Sequence, residues 1–257
     1  MDNKKQVQKQ FGRHADSYVK SVGHAKGKDL SLMVQLGIDE NKGKMLDIAT
    51  GGGHVANAFA PLVHEVVALD LTTEILAAAK KFVQGNGHTN VSFVQGDAEQ
   101  LPFSDEHFDI VTCRIAPHHF SNVTSFVKET ERVLKRGGCL LLIDNVSPEI
   151  DEYDSFYNKI EKLRDPSHFR AWKKSEWVNM VESASLSVEQ LITFDKTFQF
   201  SNWCELIQLS KVNKATIEGN IVQASLKVKE HFHILIEDET VVSFQGEGML
   251  LKGRKKA

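Results

Sequence analysis

The chain has 257 residues, with 31 Lys plus Arg against 34 Asp plus Glu and a formal net charge of −3. That length suits one large core with an elaboration, and the balanced charge leaves no extended basic face for nucleic acid, since the terminal "KGRKK" is too short to supply one. Cys113, Cys139 and Cys204 are odd in number and far apart, which argues against a disulfide framework and a CxxC metal site; no run approaches the ~18 apolar residues of a membrane span, so the expectation is a cytoplasmic protein.

After the polar start "MDNKKQVQKQ", residues 11 to 36 carry apolar positions at loose helical spacing broken by glycines, which predicts two short helices ahead of the core. From Lys44 onward β-rich runs alternate with helical patterns. "MLDIAT" precedes a helix over 55–62, and "EVVALD" precedes one over 73–83. "VSFVQG" follows, then "FDIVTC" with a helix over 123–134, then "GGCLLLID". That rhythm predicts an α/β, doubly wound, mostly parallel sheet. Beyond Pro148 helical stretches are expected at 149–163, 175–183 and 202–229, with strands in "LSVEQLITF" and "TVVSFQGEGMLLKGR". The predicted organisation is an N-terminal helical segment over 1–43, a binding core over 44–147, and a helical cap over 148–257 interleaved with the last strands of the same sheet.

Between the first strand and its helix stands "ATGGGHVA". Gly51, Gly53 and Ala56 satisfy GxGxxA, and Asp70 ends the second strand. A bare turn at a helix N-terminus lets a ligand approach the main chain, and an acid at that position binds ribose hydroxyls. The pattern alone also suits a nicotinamide-dependent oxidoreductase. Two features lie outside it. Asp47 sits inside the first strand, where a carboxylate needs partners from loop amides or a cationic ligand. "GDAEQLPF" directly follows the third strand and places Asp97 and Ala98 to read an adenine edge.

At these residues the chain resembles the class I S-adenosylmethionine-dependent methyltransferases, particularly the branch containing the ubiquinone and menaquinone C-methyltransferases. "LDIATGGGH" is similar to that family's glycine motif, "VVALDLTTEIL" to its ribose motif and "GDAEQLPF" to its adenine motif. "FDIVTCRIAPHHF" and "RVLKRGG" resemble its fourth-strand and pre-fifth-strand segments. Ala49 and Arg136 depart from the family's usual glycine and proline. The resemblance implies a Rossmann-like seven-stranded sheet with an antiparallel last strand, S-adenosyl-L-methionine as cofactor, and in-line methyl transfer to a small-molecule acceptor. By position it implies that Asp70 holds the ribose hydroxyls with Leu71 and Ile75 against the adenosine, and that Asp97 and Ala98 read adenine. Ala49, Gly51 and Gly53 would surround the methionine portion, with the Ala49 and Arg114 carbonyls near its ammonium. "FGRHADSY" is similar to the family's lead-in, so Tyr18 would cover the cofactor.

His118 and His119 adjoin the predicted C-terminal end of the fourth strand, where open α/β sheets bind ligands, and are the candidates for a general base. "LRDPSHFRAWKKSEW" gathers Arg164, His168, Arg170, Trp172 and Trp177 as candidates for a wall of the acceptor pocket, against the alternative of a packed cap surface. His231 and His233 would share one face of an extended segment, yet no further ligands accompany them and no metal is expected. A cofactor-binding or assembly protein without an acceptor pocket is the alternative of a different class. The chain leaves open a monomer or a homodimer.

Overall fold

The computed structural model describes residues 3–12, 27–40 and 42–256. Among the described residues, the helices α1 (Asn3–Gly12) and α2 (Lys28–Gly37) precede the first strand. Strands and helices then alternate: β1 (Lys44–Ile48), α3 (His54–Phe59), β2 (Glu65–Asp70), α4 (Thr73–Gly85), β3 (Val91–Gln95) and β4 (Phe108–Arg114). A 3-10 turn at Pro117–His119 leads to α5 (Val123–Val133) and β5 (Leu134–Val146). The remainder holds α6 (Asp151–Arg164), α7 (Lys174–Ser183), β6 (Leu186–Gln199), α8 (Phe200–Glu205), α9 (Lys211–Val222), α10 (Leu226–His231), β7 (Leu235–Glu237) and β8 (Thr240–Lys255).

The sheet order is β3-β2-β1-β4-β5-β8-β6, with β7 paired to β8. Strands β1 to β5 are parallel, and β8 runs antiparallel to both β5 and β6. Alternation along the central strands divides the core between the two sheet faces. Leu46, Ile48, Val67, Leu69, Val111 and Leu140 pack on one face against α5 and α7. Met45, Val66, Ala68, Ile110, Leu141 and Ile143 pack on the other against α2 and α3. Complete burial of a side chain such as Phe126 on α5 contributes about 1.5–3 kcal/mol relative to exposure. A third apolar cluster joins α6, α8 and α9 around Tyr157, Trp203 and Ile217.

The mostly parallel, doubly wound sheet with its antiparallel late strand agrees with the expectation; the count of strands does not. An eighth strand, β7, forms a hairpin with β8 through Asp238 and Glu239, both with positive φ, at 45° and 62°. Two such residues in succession are what a two-residue turn of matching twist requires. The helix expected over 202–229 is three helices, because the Ser210 and Ser225 hydroxyls accept from the Asn213 and Val228 N–H groups and start α9 and α10 anew. The extended segment supposed to align His231 with His233 does not exist: His231 ends α10 and His233 occupies a turn with φ 45°. Of the two helices expected within 11–36, α2 lies there; residues 13–26, where the other would fall, lie outside the described residues. No helix among the described residues is long and apolar enough to cross a membrane.

Candidate functional site

The turn from β1 to α3 is built by the sequence Ala49-Thr50-Gly51-Gly52-Gly53. Ala49 has φ 54°, Gly51 φ 53° and Gly53 φ 79°, so the chain reverses through left-handed backbone. Glycine adopts this region freely, whereas alanine does so at a cost of about 1–2 kcal/mol. Thr50 N–H donates to Leu69 O and Gly53 N–H to Thr50 O, both at 2.9 Å, which pins the turn onto β2. A methyl group at Gly53 would stand 3.1 Å from Ala79 and Val83, so this glycine brings α3 against α4 and does not line the cavity. Beside Gly51 a methyl group would meet only Ala49 O, at 3.9 Å, an ordinary contact that leaves room next to it.

That space belongs to a cavity lined by Ala49, Gly51, Asp70, Leu71, Ile75 and Ala98, with Asp47, Asp97 and Arg114 on the same wall system. Asp70 accepts from the N–H groups of Gly51 and Thr72, each at 3.0 Å, and burial pushes its carboxyl up to about 6. Asp47 is likewise buried and pushed up to about 6; it accepts from the hydroxyls of Thr50 at 2.6 Å and Thr112 at 2.8 Å, and the Ala56 N–H in the first turn of α3 also bonds to it. Asp97 receives the Lys4 ammonium of α1 at 2.5 Å, and the same ammonium reaches Glu99 at 2.7 Å. Lys4 and Val7 therefore form part of the cavity wall, a role the polar N-terminal composition did not signal. Thr72 Oγ1 also faces this region, buried with no hydrogen-bond partner among the described residues. Tyr18 lies outside the described residues.

Beyond β4 the backbone is strained again. Ile115, a β-branched residue, has φ 53°, a conformation that persists only where surrounding structure enforces it. Its N–H donates to Ile143 O at 2.7 Å. Ile115 and His119 line both the first cavity and a second one of about 710 Å³. Arg114, meanwhile, directs its guanidinium to both oxygens of Asp29 at 2.8 and 3.1 Å, tying α2 to the sheet.

His118 borders the second cavity and rests on Asp144 at the end of β5. Burial lowers the His118 pKa, but the adjacent Asp144 carboxylate outweighs it and the net direction is upward. His119 behaves oppositely. Burial, with the neighbouring His118, brings it down to about 4, and its Nδ1 meets the Ser167 hydroxyl at 3.2 Å. The two rings, 4.2 Å apart, thus have different proton affinities, and His118 is the basic member.

Of the cap residues singled out, Arg164 lines the second cavity, stacked 4.7 Å from the Trp203 ring. His168, Arg170 and Trp172 do not. His168 is buried with Nε2 donating to Asn158 Oδ1 at 3.0 Å. Arg170 pairs with Asp154 at 3.0 Å and lies over Trp172, while Trp177 is wholly inside the core. This segment packs the cap instead of facing a ligand, because its charges find partners on α6 and α7. The residues that do form the wall, notably Phe194, Lys196, Phe198 and Trp203, come from β6 and α8. The alternation in "FDKTF" places Phe194, Lys196 and Phe198 on one face of β6, but only the pairing with β8 decides what that face meets.

Residues 46–142 match the model of a methyltransferase domain. The Bacillus subtilis protein YcgJ, described as an uncharacterized methyltransferase, is 36% identical over 247 residues, covering 96% of this chain and 98% of that one. The solved structure of BH2331 from Bacillus halodurans C-125 superposes with a TM-score of 0.88 at 52% identity, over 90% of this chain and all of that one. The ubiquinone/menaquinone biosynthesis C-methyltransferase UbiE of Pseudomonas aeruginosa is 36% identical over 119 residues, covering 45% of this chain and 46% of that one.

Proposed function

The chain belongs to the methyltransferase family, and from that premise we propose that it transfers a methyl group from S-adenosyl-L-methionine to a small-molecule acceptor. The observation that carries the reading is the pair of adjoining cavities meeting at Ile115 and His119. The first offers what an adenosine with an amino-acid tail needs: an acid at the end of β2, an acid and an amide after β3, and open backbone at Gly51. The second, beyond the strained Ile115, has the size and mixed lining of a small-molecule site.

In this reading Asp70 accepts hydroxyl hydrogens of a ribose, and the orphaned Thr72 Oγ1 gains a polar neighbour. Asp97 and Ala98 address an adenine edge from beneath Lys4 and α1, and Leu71 and Ile75 supply apolar contact. When bound, S-adenosylmethionine supplies a sulfonium-activated methyl group for in-line displacement, so the protein's contribution is alignment and exclusion of water; good orientation supplies about 7–11 kcal/mol of such a barrier. His118, held by Asp144, receives the proton of an acceptor that must lose one. His119 is neutral near pH 7 and adds a hydrogen-bonding group without charge.

The test is transfer of labelled methyl from S-adenosylmethionine into an extract of small metabolites, together with calorimetry of S-adenosylhomocysteine on the wild type, Asp70→Ala and Asp97→Ala. Methyl transfer with weakened binding in both variants is the expected result. Unchanged affinity in both variants would remove the site assignment, and heat with reduced nicotinamide in place of S-adenosylhomocysteine would remove the cofactor.

A further inference from the structure

Strand β6 places Phe194, Lys196 and Phe198 at alternate positions, and all three line the second cavity. Their cross-strand partners on β8 are Gly248, Gly246 and Phe244. A methyl group at Gly248 would overlap the Phe194 ring, and one at Gly246 would come within 3.0 Å of the Phe198 ring. The two bare positions let side chains from β6 lie flat across β8. Lys196 uses this to reach the far side, where Nζ donates to Asn145 Oδ1 on β5 at 2.7 Å. Asn145 follows Asp144, the residue that holds His118. The outermost strand thereby contributes a cation to the same cavity that His118 lines.

The Lys196 ammonium has three N–H donors and a single acceptor among the described residues; its other close neighbour is the Phe198 ring, 5.7 Å away. The charged groups that act on it are Asp29, Asp144, Glu161 and Arg114, and Asp29 is already held by Arg114, while Lys28, Arg164, Asp165 and Asp195 line the same cavity. Burial pulls the lysine's pKa down further than the three carboxylates raise it, so the cation is under-compensated where it sits. A half-buried cation with spare donors in a cavity favours an anionic oxygen.

The kind of oxygen follows from the second device in the cavity. A carboxylic acid arrives ionised at neutral pH and needs no base, whereas an aromatic hydroxyl, with a pKa of about 10 in tyrosine, needs both a base and a cation to be held as its anion. His118 and Lys196 provide one of each, and Phe194, Phe198 and Trp203 give the cavity flat apolar walls. We infer that Lys196 is a specificity-determining residue that holds the ionised oxygen of a hydroxyaromatic acceptor in the second cavity. The acceptor's O–H bond breaks, its electron pair stays on oxygen facing the Lys196 ammonium, and the proton forms an N–H bond at His118 Nε2, opposite the Nδ1 bound to Asp144. This assignment rests on the methyltransferase reading for the identity of the first cavity and on the chain's own residues for the second.

The experiment uses 4-nitrophenol and its non-ionisable ether 4-nitroanisole with the full chain saturated in S-adenosylhomocysteine. Binding is followed by equilibrium dialysis, and the phenolate absorption band is recorded against pH. In the wild type the bound phenol's apparent pKa is expected to fall by about one unit or more. In Lys196→Met that fall is lost and 4-nitrophenol binds about tenfold or more weakly, while 4-nitroanisole binds both proteins alike. Lys196→Gln, which keeps a donor for Asn145 without the charge, serves if the methionine variant does not fold, and is expected to behave the same way. An unchanged phenolate band in the folded variant would overturn the inference, as would a wild type that binds S-adenosylhomocysteine but neither nitroaromatic. A wild type that takes up no S-adenosylhomocysteine would instead remove the methyltransferase reading, and the phenolate band measured without it would still report on Lys196.

Discussion

His118 Nδ1 lies 2.6 Å from Asp144 Oδ1, and the backbone N–H of His118 donates to the other oxygen of the same carboxylate at 2.8 Å. The two contacts set both the position of the residue and the tilt of its ring, so Nδ1 carries the hydrogen and Nε2 remains the basic nitrogen. Asp144 raises the His118 pKa above its usual value, against burial. A base must be unprotonated, so the acidic limb of turnover is expected above pH 6.5 in the wild type. In Asp144→Asn the raising charge is gone and burial remains, so the limb moves to lower pH while turnover falls by about 10²–10⁴. A pH profile of kcat for the two proteins checks this; a limb that stays in place would show that another group titrates.

Asp70 gives a stability prediction with a defined sign. Its folded pKa, about 6, exceeds the ordinary carboxylate value, so the folded state binds a proton more tightly than the unfolded chain. The corresponding stability is fully present below about pH 4 and is lost as pH rises through 6, amounting to on the order of 2–3 kcal/mol. Asp70→Asn is therefore expected to flatten part of the decline in stability of the ligand-free protein between pH 5 and pH 7. Urea unfolding at the two pH values measures it, and identical slopes in the two proteins would contradict the assignment.

The glycine turn separates a packing role from a ligand role. Gly53→Ala meets Ala79 and Val83 at 3.1 Å with φ 79°, and is expected to destabilise the protein by about 1–3 kcal/mol. Gly51→Ala carries the backbone cost but little steric cost, and its methyl projects into the cavity. Thermal unfolding and S-adenosylhomocysteine calorimetry should give different rankings. Gly53→Ala loses more in Tm, and Gly51→Ala loses more in affinity.

Ala49 holds φ 54° without the freedom of glycine. Ala49→Gly relieves that strain, partly offset by the greater entropy of the unfolded chain, for a net gain of about 0.5–1 kcal/mol. The expected rise in Tm is about 1–4 °C. A fall would mean that the Ala49 methyl packs more than it strains; it does touch the core on the side of β1.

The first cavity was readable because its parts are local. Strand β1, the glycine turn and α3 are consecutive, and Asp70 and Asp97 each sit at a strand end, so alternating β and α patterns place them at one edge before any long-range contact is known. Gly53 was legible as a glycine but not as a packing glycine, since that depends on where α4 lies. Lys4 was illegible for a similar reason: nothing in a polar N-terminal stretch states which carboxylate it will meet.

The second cavity depends on register and crossover, which the order of residues does not state. Lys196 comes beside Asn145 only because β8 enters between β5 and β6, and because its glycines face Phe194 and Lys196 instead of their neighbours. A slip of one residue would turn the other face of β6 inward. Arg170 and Trp172 had the chemistry of a binding wall and were spent on partners within the cap, whereas Phe194 and Lys196 looked like ordinary strand residues and face the cavity. Periodicity and turn residues determine which segments are strands and which carry the glycine turn and the strand-end acids, since both are set within a few residues. Which side chains meet across that sheet was decided only when its strands paired, because burial and pairing energies act on the whole fold.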